Sequence, residues 1–225
     1  DLQIAGVIQY FEEELGATKN PTGALSNYWR SRTDLVAPKF SGIDFSGVTG
    51  LSYTWTTCSS LTSFPFIDTS SVTNFSTAFA SCGGLTSFPK LDTSSGTNFF
   101  QTWAGCSGLT SFPLMDFSSG TNFYASWYNC SSLAEFPGEL DLSSGTNFTL
   151  CWWNCNDLTE FPGTLDLSSG TNFTASWKNC TSLEDFPANL FDYWTPGTPS
   201  SSCFVSAWDG CSSLTATSVE NILNS

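Results

Sequence analysis

Five aspartates return at one place in a recurring phrase: Asp68, Asp92, Asp116, Asp141 and Asp166, each in D-x-S-S. Carboxylates in such a row can ligate calcium or, as an adjacent pair, act on glycosidic bonds. Seven cysteines form a second row, Cys58, Cys82, Cys106, Cys130, Cys155, Cys180 and Cys211. Thiols serve as disulfides, zinc ligands or nucleophiles. The chain has no histidine, so neither a Ser-His nor a Cys-His arrangement can be assembled. There is no CxxC pair for zinc, and no Gly-rich phosphate loop follows a strand. A catalytic site occurs once, whereas each conspicuous Asp recurs in five units. The expectation is no catalytic residue, no metal and no cofactor.

Spacing explains the rows better than chemistry does. The cysteines lie 24 residues apart from Cys58 to Cys130, then 25, 25 and finally 31. They mark a phrase close to C-S-S-L-T-S-F-P-x-x-D-T-S-S-x-T-N-F-x-x-x-W that recurs along the chain. A unit this short cannot bury its apolar face alone and must stack on its neighbours. Rungs about 4.8 Å apart would allow a disulfide by distance, but in-register side chains point the same way. A row of small buried thiols follows. Two charges about 5 Å apart repel by roughly 0.8 kcal/mol in water. Each Asp is therefore expected to bond the following Ser or Thr and backbone N–H groups in an Asx turn, with calcium between rungs as the alternative. Asn74, Asn98, Asn122, Asn147 and Asn172 form a third row, able to bond turn backbone and their own copies. Five N-x-S/T matches, at Asn74, Asn129, Asn147, Asn172 and Asn179, are locked to the repeat and read as chance matches rather than glycan sites.

Two periodicities alternate within a unit. Phe75, Phe79 and Cys82 stand at i, i+4 and i+7, as do Phe99/Trp103/Cys106 and Phe123/Trp127/Cys130. This spacing predicts one face of a short helix. L-T-S-F-P, as in Leu85 to Pro89, predicts a short strand ending at proline. The expected fold class is an α/β solenoid with one short parallel strand and one short helix per 24–25-residue rung. Residues 1–38 read as a helical cap (Leu2, Ile4, Val7, Ile8, Phe11, Leu15) and a connector anchored by Trp29. Residues 39–216 read as the repeats, and 217–225 as the start of a capping helix. The chain begins at Asp1 and stops inside that helix, which reads as a piece of a longer protein.

The net charge of −14 is uneven. Four of six basic residues fall in the first 39 positions, leaving residues 40–225 at −13. Such a surface repels phosphate backbones, so nucleic acid is not an expected partner. No apolar stretch of about 18 residues predicts membrane insertion.

The run Asp68 to Cys82, D-T-S-S-V-T-N-F-S-T-A-F-A-S-C, continuing into G-G-L-T-S-F, resembles the BspA-like leucine-rich repeats of bacterial surface proteins. The resemblance spans about residues 40–215. It departs from that pattern in its Trp residues and in the Pro after the strand. Similar strings, and an ending like Leu214 to Leu223, occur in marine bacteriophage structural proteins. The resemblance implies a leucine-rich-repeat-like fold and a non-enzymatic structural or adhesion role. That role would be at a virion surface (fibre, neck or decoration) or, alternatively, at a bacterial cell surface. A polysaccharide-acting enzyme is the remaining alternative.

Row residues are consumed by the core, so specificity must come from positions that vary between units. Phe100, Tyr124, Tyr128 and Trp153 are the candidate contact residues, suited to sugar stacking or a protein contact. Phe66 and Lys90, after the strand, form a second candidate set. Expected partners are a protein or a surface glycan, other virion proteins, or a second copy of the chain.

Overall fold

A computed structural model describes residues 21–224 except Ser41, Asn189 and 192–201. The helix expected over Leu2–Leu15 lies outside the described residues. Successive repeats stack in parallel. Strand β1 (Gly23–Ala24) pairs with β2 (Val48–Gly50). The pairing then continues as single bridges from Gly50 to Asn74, Asn98, Asn122, Asn147 and Asn172. The parallel ladder thus runs through the Asn row. At L-T-S-F-P it shrinks to isolated bridges such as Ser111–Glu135 and Glu160–Asp185, where the neighbouring proline has no N–H to extend it.

Where the spacing predicts a short helix, the chain makes a run of tight turns. The N–H groups of Thr54, Thr56 and Cys58 fold back to the carbonyls of Leu51, Tyr53 and Trp55 at 3.1–3.3 Å, an i→i−3 pattern. The intervening N–H groups of Leu51, Tyr53, Trp55 and Thr57 donate to Asn74, Ser76, Ala78 and Ala80 of the next repeat at 2.7–3.0 Å. From Tyr53 to Cys58 every backbone donor is satisfied, half locally and half between rungs. The geometry needs a left-handed residue in alternate turns, as a type II turn does at its third position. Tyr53 (φ 59°), Thr57 (62°), Thr77 (58°) and Ser81 (60°) supply it, as do their counterparts up to Ser206 and Gly210. A helix would spend every interior N–H inside the rung and leave none for the neighbour.

The rings form columns. Phe75, Phe99, Phe123, Phe148, Phe173 and Phe204 stack at 5.1–5.5 Å between centroids. Trp103, Trp127, Trp152, Trp177 and Trp208 stack at 5.4–5.9 Å with planes within 10°. Phe64, Phe88, Phe112, Phe136, Phe161 and Phe186 form a third column, set edge-on to the indoles, as Phe136 is to Trp127 at 4.9 Å. The buried indole N–H groups of Trp103, Trp127, Trp152 and Trp177 have no oxygen or nitrogen partner.

The stack begins earlier than the expected boundary at residue 38. Leu25, Asn27, Trp29 and Ser31 donate to Gly50, Ser52, Thr54 and Thr56, and Trp29 stacks on Trp55 at 5.2 Å and 3°. The segment read as a connector is itself a rung. At the other end, helix α1 (Ala216–Asn224) starts at Thr215, whose hydroxyl accepts the Ser218 N–H at 3.2 Å, an N-cap. Ser218, 2% exposed, accepts the Phe186 N–H and donates to the Glu184 carbonyl, both at 2.9 Å. Asn221 donates to the Phe186 carbonyl at 2.9 Å. Helix side chains thus occupy backbone groups that a further rung would otherwise pair.

Candidate functional site

The inward rows are used up by structure. All nine cysteines are free thiols. Cys82, Cys106, Cys130, Cys155 and Cys180 donate at 3.1–3.3 Å to the carbonyls of Trp55, Phe79, Trp103, Trp127 and Trp152. Burial pushes the Cys130 thiol up to about 12 and those of Cys58 and Cys211 to about 11. Thiols held protonated in this way are poor nucleophiles. At the equivalent of Ser126 and Ser176, whose hydroxyls bond the Phe99 and Phe148 carbonyls, stands Cys151, also buried.

The Asp row is exposed and each member closes its own turn. Asp68, Asp92, Asp116 and Asp141 accept, through Oδ1, both the N–H and the hydroxyl of Ser70, Ser94, Ser118 and Ser143. Asp166 accepts the Ser168 N–H. For Asp116, the Ser118 hydroxyl and then its N–H hold the carboxyl below its usual range. Among the described residues no group of three or more Asp, Glu or Cys side chains is arranged to hold a metal ion. The Asn row does the same for its turns. Asn74 Oδ1 accepts the Ser76 N–H at 2.9 Å, and Asn122 Nδ2 donates to Asn98 Oδ1 at 3.2 Å. The Thr row beside it is tied down as well. Thr97 and Thr121 bond the carbonyls of Thr73 and Thr97 through both N–H and hydroxyl.

The varied positions lie outside these rows. Phe100 stacks on Tyr124 at 5.1 Å and 11°. Tyr128 meets Trp153 edge-to-face at 5.5 Å, and Lys178 Nζ sits 5.4 Å from the Trp153 ring and 3.7 Å from Asp209. All four rings are half-buried, and among the described residues no ring contact joins the two pairs. Phe66 is 70% exposed and Lys90 lines a different, shallow groove with Leu114, Asp116, Glu139 and Asp141. The six candidates therefore fall into two aromatic pairs and two separate positions after the proline.

Sequence reasoning missed one feature. Thr56, Thr77, Ala80, Ser81, Gln101, Ala104, Gly105, Tyr128 and Asn129 line a groove of about 290 Å³. Its signal was present. The residue after each core ring runs Arg30, Thr56, Ala80, Ala104, Tyr128, Trp153, Lys178, Asp209, so the row drops to alanine for two units. The next row drops to Gly105 between Ser81 and Asn129.

No helix among the described residues is long and apolar enough to cross a membrane. Comparison with family models, curated proteins and solved structures finds no match to this chain.

Proposed function

We propose that the chain is a leucine-rich-repeat-like solenoid acting as a non-enzymatic structural and adhesion module. Its place is the surface of a bacteriophage virion, where it contacts a host surface or a neighbouring virion protein. The supporting observation is a division of labour among aromatics. Those in phase with the repeat are buried in columns, whereas Phe100, Tyr124, Tyr128 and Trp153 pair on the outside. Half-buried rings next to polar side chains suit a glycan or protein contact. The virion assignment rests on the resemblance of the repeat phrase alone.

Two measurements test this reading. Antibody labelling of particles and of bacterial envelopes is expected to mark particles; labelling of envelopes alone replaces the virion with the cell surface. Fluorescently labelled chain is expected to attach to host cells, and Phe100→Ala/Tyr124→Ala together with Tyr128→Ala/Trp153→Ala to abolish attachment. Release of reducing ends from a polysaccharide panel would instead make the protein an enzyme.

A further inference from the structure

We propose that the groove at Ala80, Ala104 and Gly105 is a binding site for a short neutral oligosaccharide, a proposal that rests on the adhesion reading above and names its ligand. The groove exists because one row falls to alanine in two adjacent units, at Ala80 and Ala104, and the neighbouring row falls to glycine in the second of them, at Gly105. Ala80 and Ala104 are buried and form the floor. Ser81 and Asn129 carry side chains at the same left-handed position (φ 60° and 57°), whereas Gly105 (φ +75°) carries none, so the row is open between them. One rung later both rows step up, to Tyr128 and Asn129, and make an end wall.

The Thr56 hydroxyl is spent on the Thr77 carbonyl, but several other polar groups along the walls lack a strong partner. Thr77 is 6% exposed, yet among the described residues its hydroxyl makes a single hydrogen-bond contact, 3.5 Å from Ser76 Oγ, at the limit of a hydrogen bond. Ser81 Oγ, the Gln101 amide and the Tyr128 hydroxyl have no partner among the described residues. Asn129 is the end of a directional amide chain. Asn179 Nδ2 donates to Asn154 Oδ1 at 3.0 Å, and Asn154 Nδ2 donates to Asn129 Oδ1 at 2.7 Å. Two successive donations polarise the last amide and strengthen the Asn129 NH₂ as a donor, and that residue lines the groove.

Ligand chemistry follows from this inventory. Hydroxyls and amides can each give and accept hydrogen bonds, and an aromatic wall packs against the C–H face of a sugar ring. No Asp, Glu, Lys or Arg lines the groove, and the surrounding protein is strongly acidic. Acidic ligands are therefore disfavoured. The row of lining residues runs from the rung of Thr56 to that of Tyr128. Three rung steps span about 14 Å, room for two or three hexose units.

The test is a titration of the full chain with cellotetraose, mannotetraose and chitotetraose, with a heparin tetrasaccharide as the acidic control. The readout is amide NMR shifts at Ser81, Gln101, Gly105 and Asn129. At least one neutral probe is expected to shift these amides saturably. Ala104→Trp fills the groove with the side chain that Trp153 carries at the same position of a later rung, and should weaken binding at least about tenfold. Gln101→Ala and Tyr128→Ala, at half-buried positions, give the same readout if the tryptophan variant is unstable, and Val205→Ala on the last rung leaves binding unchanged. Silence from every neutral probe, tighter binding of heparin, or wild-type binding by the groove variants overturns the proposal. Silence accompanied by loss of cell attachment in Phe100→Ala/Tyr124→Ala sinks the groove alone and leaves the adhesion reading standing.

Discussion

Trp127 and Tyr128 are neighbours in sequence, similar in chemistry, and opposite in fate. The first stacks between Trp103 and Trp152 at 5.6 and 5.9 Å and is fully buried. The second is half-buried, touching Trp153 on one side and lining a groove on the other. The Trp127 row holds a ring in every unit from Trp29 to Trp208, with Phe79 the sole change of ring type. The Tyr128 row holds arginine, threonine, alanine, tyrosine, tryptophan, lysine and aspartate. Inward positions must match the ring above and below; outward ones answer to solvent and partners. Invariance within the repeat marks packing, and variation marks a surface free to specialise.

The sharpest way to break this contrast is alkali, because it acts on a whole inward row at once. Burial pushes the thiols up, to about 12 for Cys130. Below the ordinary value near 9.0 both folded and unfolded thiols stay protonated. Above it the unfolded thiols ionise and the buried ones cannot, so stability falls as pH rises towards the folded value. Each thiol contributes up to about 1.4 kcal/mol per pH unit, and the row together outweighs any single substitution. Urea unfolding midpoints at pH 7, 9, 10 and 11 should drop steeply beyond 9, less so in Cys106→Ala. A flat profile would mean the thiols are not buried.

Next in size is the pair itself. Trp127→Ala leaves a cavity in a central column and should cost about 3–5 kcal/mol. Tyr128→Ala should stay within about 1 kcal/mol. Thermal unfolding of the two variants compares them directly, and equal losses would erase the distinction between rows. At the end of the stack, Ser218→Ala strips the Phe186 N–H and the Glu184 carbonyl of their buried partner. It should cost roughly 1–3 kcal/mol and speed amide exchange at Phe186 before Phe112; uniform exchange would argue against α1 as a cap.

The smallest effect belongs to the exposed Asp row. The Ser118 bonds depress the Asp116 carboxyl, so its stabilisation is present above the ordinary carboxylate value and lost as pH falls through the lowered one. Solvent screening keeps that contribution small. Melting temperatures between pH 6 and 2 should decline slightly less in Asp116→Asn than in the parent chain.

Several of these features are visible in the linear text. The Cys, Asn and Asp rows, their Asx turns and the columns of rings follow from period and residue type, because a stacked unit can satisfy Asn98 or Asp92 only in one or two ways. The rung at Leu25–Leu35 was legible too. L-S-N-Y-W-R-S-R-T-D-L matches L-S-Y-T-W-T-T-C-S-S-L at 51–61, but Arg32 replaces the cysteine that marks the register. The groove was harder to see, since it is made by side chains that are missing, at Ala80, Ala104 and Gly105, and small residues carry no pattern of their own.

The sequence by itself determined which side chains face inward and which repeat they meet. It did not determine the backbone path between Phe75 and Cys82, because spacing of i, i+4 and i+7 suits a helical turn and three overlapping i→i−3 turns equally well. The tertiary structure chose the turns. Alternate N–H groups can leave the rung only when the next repeat's carbonyls stand beside them. Those acceptors exist only once the repeats are stacked.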